Sequence, residues 1–253
     1  MRFVLIHGGF HGAWCWERTI PEIERLGHSA IAIDLPGHGK RRDERSTNAD
    51  RRDAILAVLQ AGDILVGHSG GGYDITLAAD AAPEKVSHLV YLAAGLPLEG
   101  RSILEATGGA KAEGQVTRPM SGDTGMAKFI RVNAKGRIEA FDRDAVCEFF
   151  YHDCDKATAH WAFDLLTPAP TEFLTETVTL PKFWQANLPR SYIHCLQERA
   201  KPYEMSKIVI ERLGVMPLSI DASHSPFLSC PAELAKVLVY ASLTVPFRPL
   251  RPN

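Results

Sequence analysis

The chain has 253 residues, enough for one large or two small domains at roughly 100–200 residues each, and enough to bury a sizeable core. Hydrophobic residues make up 45% and charged residues 23%, with 20 glycines and 16 prolines, which excludes collagen-like, low-complexity and disordered classes. The 30 acidic and 28 basic side chains leave a net charge of −2, so no general field attracts nucleic acid or an anionic membrane.

Phe3-Val4-Leu5-Ile6 is a short apolar run stopped by glycines, as expected of a strand buried on both faces of a parallel sheet. Residues 14–26 read as a helix and 30–33 as a second strand. The basic run Lys40, Arg41, Arg42, Arg45, Arg51 and Arg52 is interrupted by Asp43, Glu44, Asp50 and Asp53. It reads as a solvated loop entering a helix over 48–60, not as a nucleic-acid patch. Strand 64–66, helix 70–81 and strand 86–92 follow. Between Leu96 and about Pro189 this rhythm lapses. That stretch carries Gly108, Gly109, Gly114, Gly122, Gly125 and Gly136, then an aromatic segment from Phe141 through Trp161 and Phe163 to Trp184. It is too long for a simple connection and reads as an inserted helical lid. Strand 191–193, helix 203–213, strand 215–220 and helix 231–243 complete the chain. The expected architecture is α/β: a mostly parallel sheet of about six strands flanked by helices, with residues 1–95 and 190–253 as its core and 96–189 as lid.

Cys15, Cys147, Cys154, Cys195 and Cys230 are odd in number and widely spaced. With no CxxC pair they read as reduced thiols, and neither a metal site nor a cofactor is expected. The first apolar run is far too short for a signal peptide or membrane span, so a cytoplasmic protein without membrane partners is expected. Oligomeric state stays open, a homodimer included.

Gly67-His68-Ser69-Gly70-Gly71 is a G-x-S-x-G pentapeptide placed directly after a predicted strand and before a predicted helix. In that setting the serine sits on a strained turn with its hydroxyl projecting from the sheet edge, and small neighbours let strand and helix approach. Ser69 is therefore the candidate nucleophile. A hydroxyl needs a base within hydrogen-bond reach and a third group to orient that base. His224 follows the strand at 215–220 and precedes the last helix, which puts it at the same sheet edge. His7 and His68 read as packing residues. Glu198 is the carboxylate at the end of strand 191–193, with Glu99, Glu204 and Asp221 as alternatives for the acid. The oxyanion donors are read as the backbone N–H of Gly70, next after the nucleophile, and of Gly9 in the turn His7-Gly8-Gly9-Phe10. Phe10, Trp161, Trp184 and Phe227 are the candidate substrate-binding aromatics.

Through His7-Gly8-Gly9, Asp34-Leu35-Pro36-Gly37-His38-Gly39, Gly67-His68-Ser69-Gly70-Gly71 and His224, nearly the whole chain resembles the α/β-hydrolase superfamily. Two segments, residues 7–14 and 192–198, look like the branch that holds plant methylesterases, hydroxynitrile lyases and bacterial carboxylesterases. That branch has aspartate where this chain has Glu198, and a proline four residues on, here Pro202. The lyases of the branch resemble one another in a threonine at the position of Gly8 and a lysine at that of Ser225; neither is present. The resemblance therefore implies a carboxylesterase acting on a small-molecule ester, of an apolar or aromatic kind. A lyase or a non-enzymatic small-molecule receptor is the alternative. Because the base must be neutral to accept a proton, kcat/KM should rise through the histidine range, about pH 6–7, and then level off.

Overall fold

Six strands form one wholly parallel sheet: β1 (Arg2–Ile6), β2 (Ser29–Ile33), β3 (Asp63–His68), β4 (Val86–Leu92), β9 (Arg190–Cys195) and β10 (Leu218–Ile220), in the order β10-β9-β4-β3-β1-β2. Short antiparallel pairs β5 (Ala110–Ala112) with β6 (Gln115–Thr117) and β7 (Ile130–Val132) with β8 (Ile138–Ala140) lie outside it. This computed structural model describes residues 1–106, 110–112, 115–117, 126, 129–201 and 203–252; Gly108, Gly109, Gly114, Gly122, Gly125 and Pro202 fall outside them.

The central strands are apolar without interruption because both of their faces are covered. Side chains alternate across a strand, and the core divides accordingly. Phe3, Leu5, Ile64, Val66, Val90, Leu92 and Ile193 enter one cluster; Val4, Ile6, Leu65, Leu89, Tyr91 and Tyr192 enter the other. The connecting helices are α1 (Ile20–Arg25), α2 (Asn48–Leu56), α3 (Gly71–Ala81), α8 (Tyr203–Leu213), α9 (Pro226–Ser229) and α10 (Pro231–Ala241). Between β4 and β9, which are neighbours in the sheet, run α4 (Ile103–Ala106), α5 (Arg143–Phe150), α6 (Lys156–Asp164) and α7 (Pro181–Ala186). Among the described residues no helix is long and apolar enough to cross a membrane.

Three expectations change. The helix expected over 14–26 is a 3₁₀ turn at Ala13–Trp16 followed by α1. Pro21 has no N–H and its ring would meet the carbonyl four residues back, so a helix can only start there. The strand expected over 215–220 shrinks to Leu218–Ile220 at the sheet edge, because Pro217 cannot donate to a ladder. Arg51, read as part of a solvated basic run, is buried: its Nε and Nη2 bond the two oxygens of Asp74 at 2.6 and 2.7 Å, with both side chains no more than 3% exposed. The partner comes from α3, outside the local pattern.

Strand order reverses between β1 and β3, since the chain leaves β1 for β2 on one side and returns to β3 on the other. In open α/β sheets ligands bind at the carboxyl ends of the strands beside such a reversal, and the loops carrying Gly9 and Ser69 leave β1 and β3 at that end.

Candidate active site

Ser69 follows β3 at that end of the sheet with φ of +52°, a left-handed conformation that costs a non-glycine residue energy unless its surroundings impose it. Here the backbone is held on three sides. Ser69 N–H donates to Leu92 O at 3.1 Å, and Ser69 O accepts from the N–H groups of Gly72 and Gly95 at 3.2 and 3.0 Å. Close crossing of α3 over β1 requires glycine at 71, where a Cβ would stand 2.7 Å from His7 O.

His224 lies in the loop after β10 and is 3% exposed. Its Nδ1 is 2.6 Å from Glu198 Oε2, with both side chains 4% exposed. The other oxygen, Oε1, accepts the N–H of Ala200 at 2.7 Å and of Lys201 at 3.2 Å. Burial pushes the Glu198 carboxyl up, but the adjacent His224 and the two amides outweigh it and hold the group below its usual range. The His224 ring is fixed by His68 on one side, with centroids 4.6 Å apart, and by a stacked Phe150 at 5.4 Å. His68 Nε2 also donates to His224 O at 2.9 Å. The other carboxylates are engaged elsewhere or exposed: Asp221 accepts from Gln197, Glu99 from Leu180 N–H and Trp184 Nε1, and Glu204 is exposed. Among the described residues no hydrogen bond joins Ser69 Oγ to His224, a contact that commonly tightens only when substrate is bound.

The turn after β1 runs beside the serine. A Cβ on Gly8 would stand 2.8 Å from Ser69 Cβ, and one on Gly70 would stand 3.6 Å from Gly9 N. Neither Gly9 N–H nor Gly70 N–H, both partly exposed, finds an acceptor among the described residues. Two free donors side by side next to a strained serine can receive an anionic oxygen.

The four candidate aromatics separate. Phe10 follows directly on Gly9 with φ of +66°, and Phe227 is fully buried against His68 at 4.9 Å and Trp16 at 5.2 Å. Trp161 is 37% exposed and packs edge-on against Trp14 under the Arg18 guanidinium. Trp184 joins the core cluster on the other face of the sheet, beside Phe183 and bonded to Glu99. Phe150, by contrast, lies directly on the His224 ring. Its place in the aromatic run Phe149-Phe150-Tyr151 was the only sequence signal for it. Among the described residues no group of three or more His, Cys, Asp or Glu side chains is gathered to hold a metal ion.

Comparison with known proteins agrees with this architecture. Norfluorocurarine synthase 2 of Strychnos sp is 31% identical over 250 residues, spanning 94% of this chain and 93% of its own. Methylesterase 7 of Arabidopsis thaliana is 31% identical over 255 residues, spanning 94% of this chain and 95% of its own. The solved structure of a pyrethroid hydrolase superposes with a TM-score of 0.77 at 25% identity, covering 98% of this chain and 99% of that one. The model of the alpha/beta hydrolase family matches residues 3–237, and with β1 at its start and α10 at its end the chain belongs to that family.

Proposed function

We propose that the protein is a serine carboxylesterase working through Ser69, His224 and Glu198. Ser69 Oγ attacks the ester carbonyl while His224 Nε2 takes its proton. The carbonyl oxygen becomes an oxyanion received by Gly9 N–H and Gly70 N–H. As the C–O bond to the alcohol breaks, His224 returns the proton to the leaving oxygen, and an acyl-enzyme remains on Ser69. Water, deprotonated by the same histidine, then attacks the acyl carbon and releases the acid. Glu198, ionised and bonded at Nδ1, keeps the imidazole in the tautomer that leaves Nε2 free and stabilises the imidazolium.

The observation that carries the reading is the pair of partnerless amides at Gly9 and Gly70 beside the strained Ser69. Phe10 and the Phe150 ring on His224 give the surroundings an apolar, aromatic character, which supports esters of apolar or aromatic small molecules as substrates. The relatives named for methylesterase and pyrethroid hydrolase activity are consistent with that class. Cyanohydrin cleavage of the kind the resemblance raised is disfavoured because position 8 is glycine and position 225 is serine, so neither a threonine hydroxyl to hold the substrate oxygen nor a lysine cation to stabilise departing cyanide is present.

The test is a series of p-nitrophenyl esters of increasing acyl length, with a burst-phase measurement on the fastest, for the wild type and Ser69→Ala. Turnover that Ser69→Ala abolishes is expected. Tight binding without turnover by the wild type would indicate a receptor instead, and ester turnover that survives Ser69→Ala would remove the serine from the mechanism.

A further inference from the structure

Three consecutive carbonyls of the turn after β1 are captured by groups outside its backbone. Gly8 O lies 2.8 Å from His7 Nδ1, Gly9 O lies 2.8 Å from His11 Nδ1, and Phe10 O accepts Thr167 N–H at 2.9 Å. A carbonyl can only accept, so each imidazole must carry its proton on Nδ1 and offer a lone pair at Nε2. Both lone pairs are used: Leu35 N–H donates to His7 Nε2 at 3.1 Å, and the Tyr151 hydroxyl donates to His11 Nε2 at 2.7 Å. Burial keeps both rings neutral, lowering His7 to about 4 and His11 to about 3, as this pattern requires.

The C=O and N–H of a trans peptide point in opposite directions. Holding Gly8 O therefore aims Gly9 N–H, and holding Gly9 O fixes the peptide plane on the other side of the same α-carbon. Packing on residue 9 cannot do this, because a Cβ there would meet nothing within 4 Å. Two of the three captures originate in the segment between β4 and β9: Thr167 directly, and Tyr151, 1% exposed at the end of α5, through His11.

We propose that Tyr151, acting through His11, is a positioning residue for the Gly9 N–H that receives the oxyanion, so that this segment helps to build the oxyanion site. The inference rests on the esterase reading. Without the hydroxyl, His11 can shift its proton to Nε2 and release Gly9 O.

The test compares Tyr151→Phe, His11→Asn and His11→Phe in kcat, KM and inhibition by a trifluoromethyl ketone, whose adduct with the serine carries an oxyanion. Asparagine keeps an N–H donor at the place of Nδ1 and phenylalanine does not. Loss of a whole oxyanion donor costs about 10²–10³-fold in rate, so loosening one is expected to cost about tenfold. Tyr151→Phe should lower kcat and ketone affinity together by that factor, with KM within about twofold. His11→Phe should lose at least as much, His11→Asn should recover most of the loss, and adding Tyr151→Phe to His11→Asn should change little. Unchanged kcat and ketone affinity in Tyr151→Phe, with Ser69-dependent turnover intact, would overturn the inference and leave the esterase reading standing. The same holds if His11→Phe matches His11→Asn, or if the loss falls on KM. Absence of Ser69-dependent turnover in the wild type would overturn both.

Discussion

Glu198 has both oxygens engaged, one by His224 Nδ1 and the other by two backbone amides. Glu198→Gln keeps the shape but removes the charge that favours the imidazolium and allows an amide N–H to face Nδ1, which selects the wrong tautomer. We expect kcat/KM to fall by about 10²–10⁴-fold with KM little changed, checked by steady-state kinetics on the best p-nitrophenyl ester. A loss below tenfold would remove the acid role from Glu198. At this scale the sequence was informative where chemistry is local: Ser69 sits in a pentapeptide that demands a strained turn, and Glu198 and His224 each lie in the loop after a recognisable strand. His11 and Tyr151 were not readable as a pair, because they lie 140 residues apart and meet only through tertiary packing.

Between α2 and α3 the main polar fastening is the two-pronged bond of Arg51 to Asp74, covered by the Phe173 ring 4.1 Å from the guanidinium. Removing one partner strands a buried charge, which costs more than the intact pair contributes. Asp74→Ala should therefore destabilise the protein by about 3–5 kcal/mol, read from urea unfolding followed by circular dichroism. A loss under about 1 kcal/mol would mean that water reaches Arg51 and replaces the carboxylate. Helices and strands were legible from hydrophobic period, and their ends were not. Pro21 divides one expected helix and Pro217 shortens one expected strand, in each case because a missing N–H outweighs an apolar pattern that continues past it. The segment between β4 and β9 was recognised by its length and aromatic content. Which of its rings would reach His224 depends on how α5 packs, and no local periodicity encodes that.

Across the whole molecule, several histidines are buried in the neutral state: burial lowers His7 to about 4, His11 to about 3 and His88 to about 4, all from 6.5. The unfolded chain takes up these protons below pH 6.5 while the native state refuses them, so the native state is fully favoured above that pH and loses ground as pH falls. Each such histidine contributes a slope of about 1.4 kcal/mol per pH unit, flattening only as the folded values are approached. Thermal melts should show Tm dropping between pH 7 and pH 5, with net proton uptake on unfolding; a flat Tm over that interval would contradict the assignment. The sheet, finally, acts as a partition. Leu65 and Val66 are adjacent in β3, yet Val66 belongs with Phe10, Phe150 and Phe227 on the side that packs against His68 and His224, and Leu65 belongs with Tyr91 and Phe183 behind it. Leu65→Ala should cost about 2–5 kcal/mol of stability with kcat preserved, as denaturant titration and kinetics on one sample would verify. The rear compartment is thus the natural ground for raising heat tolerance, and the front one for retuning selectivity, with little interference between the two programmes.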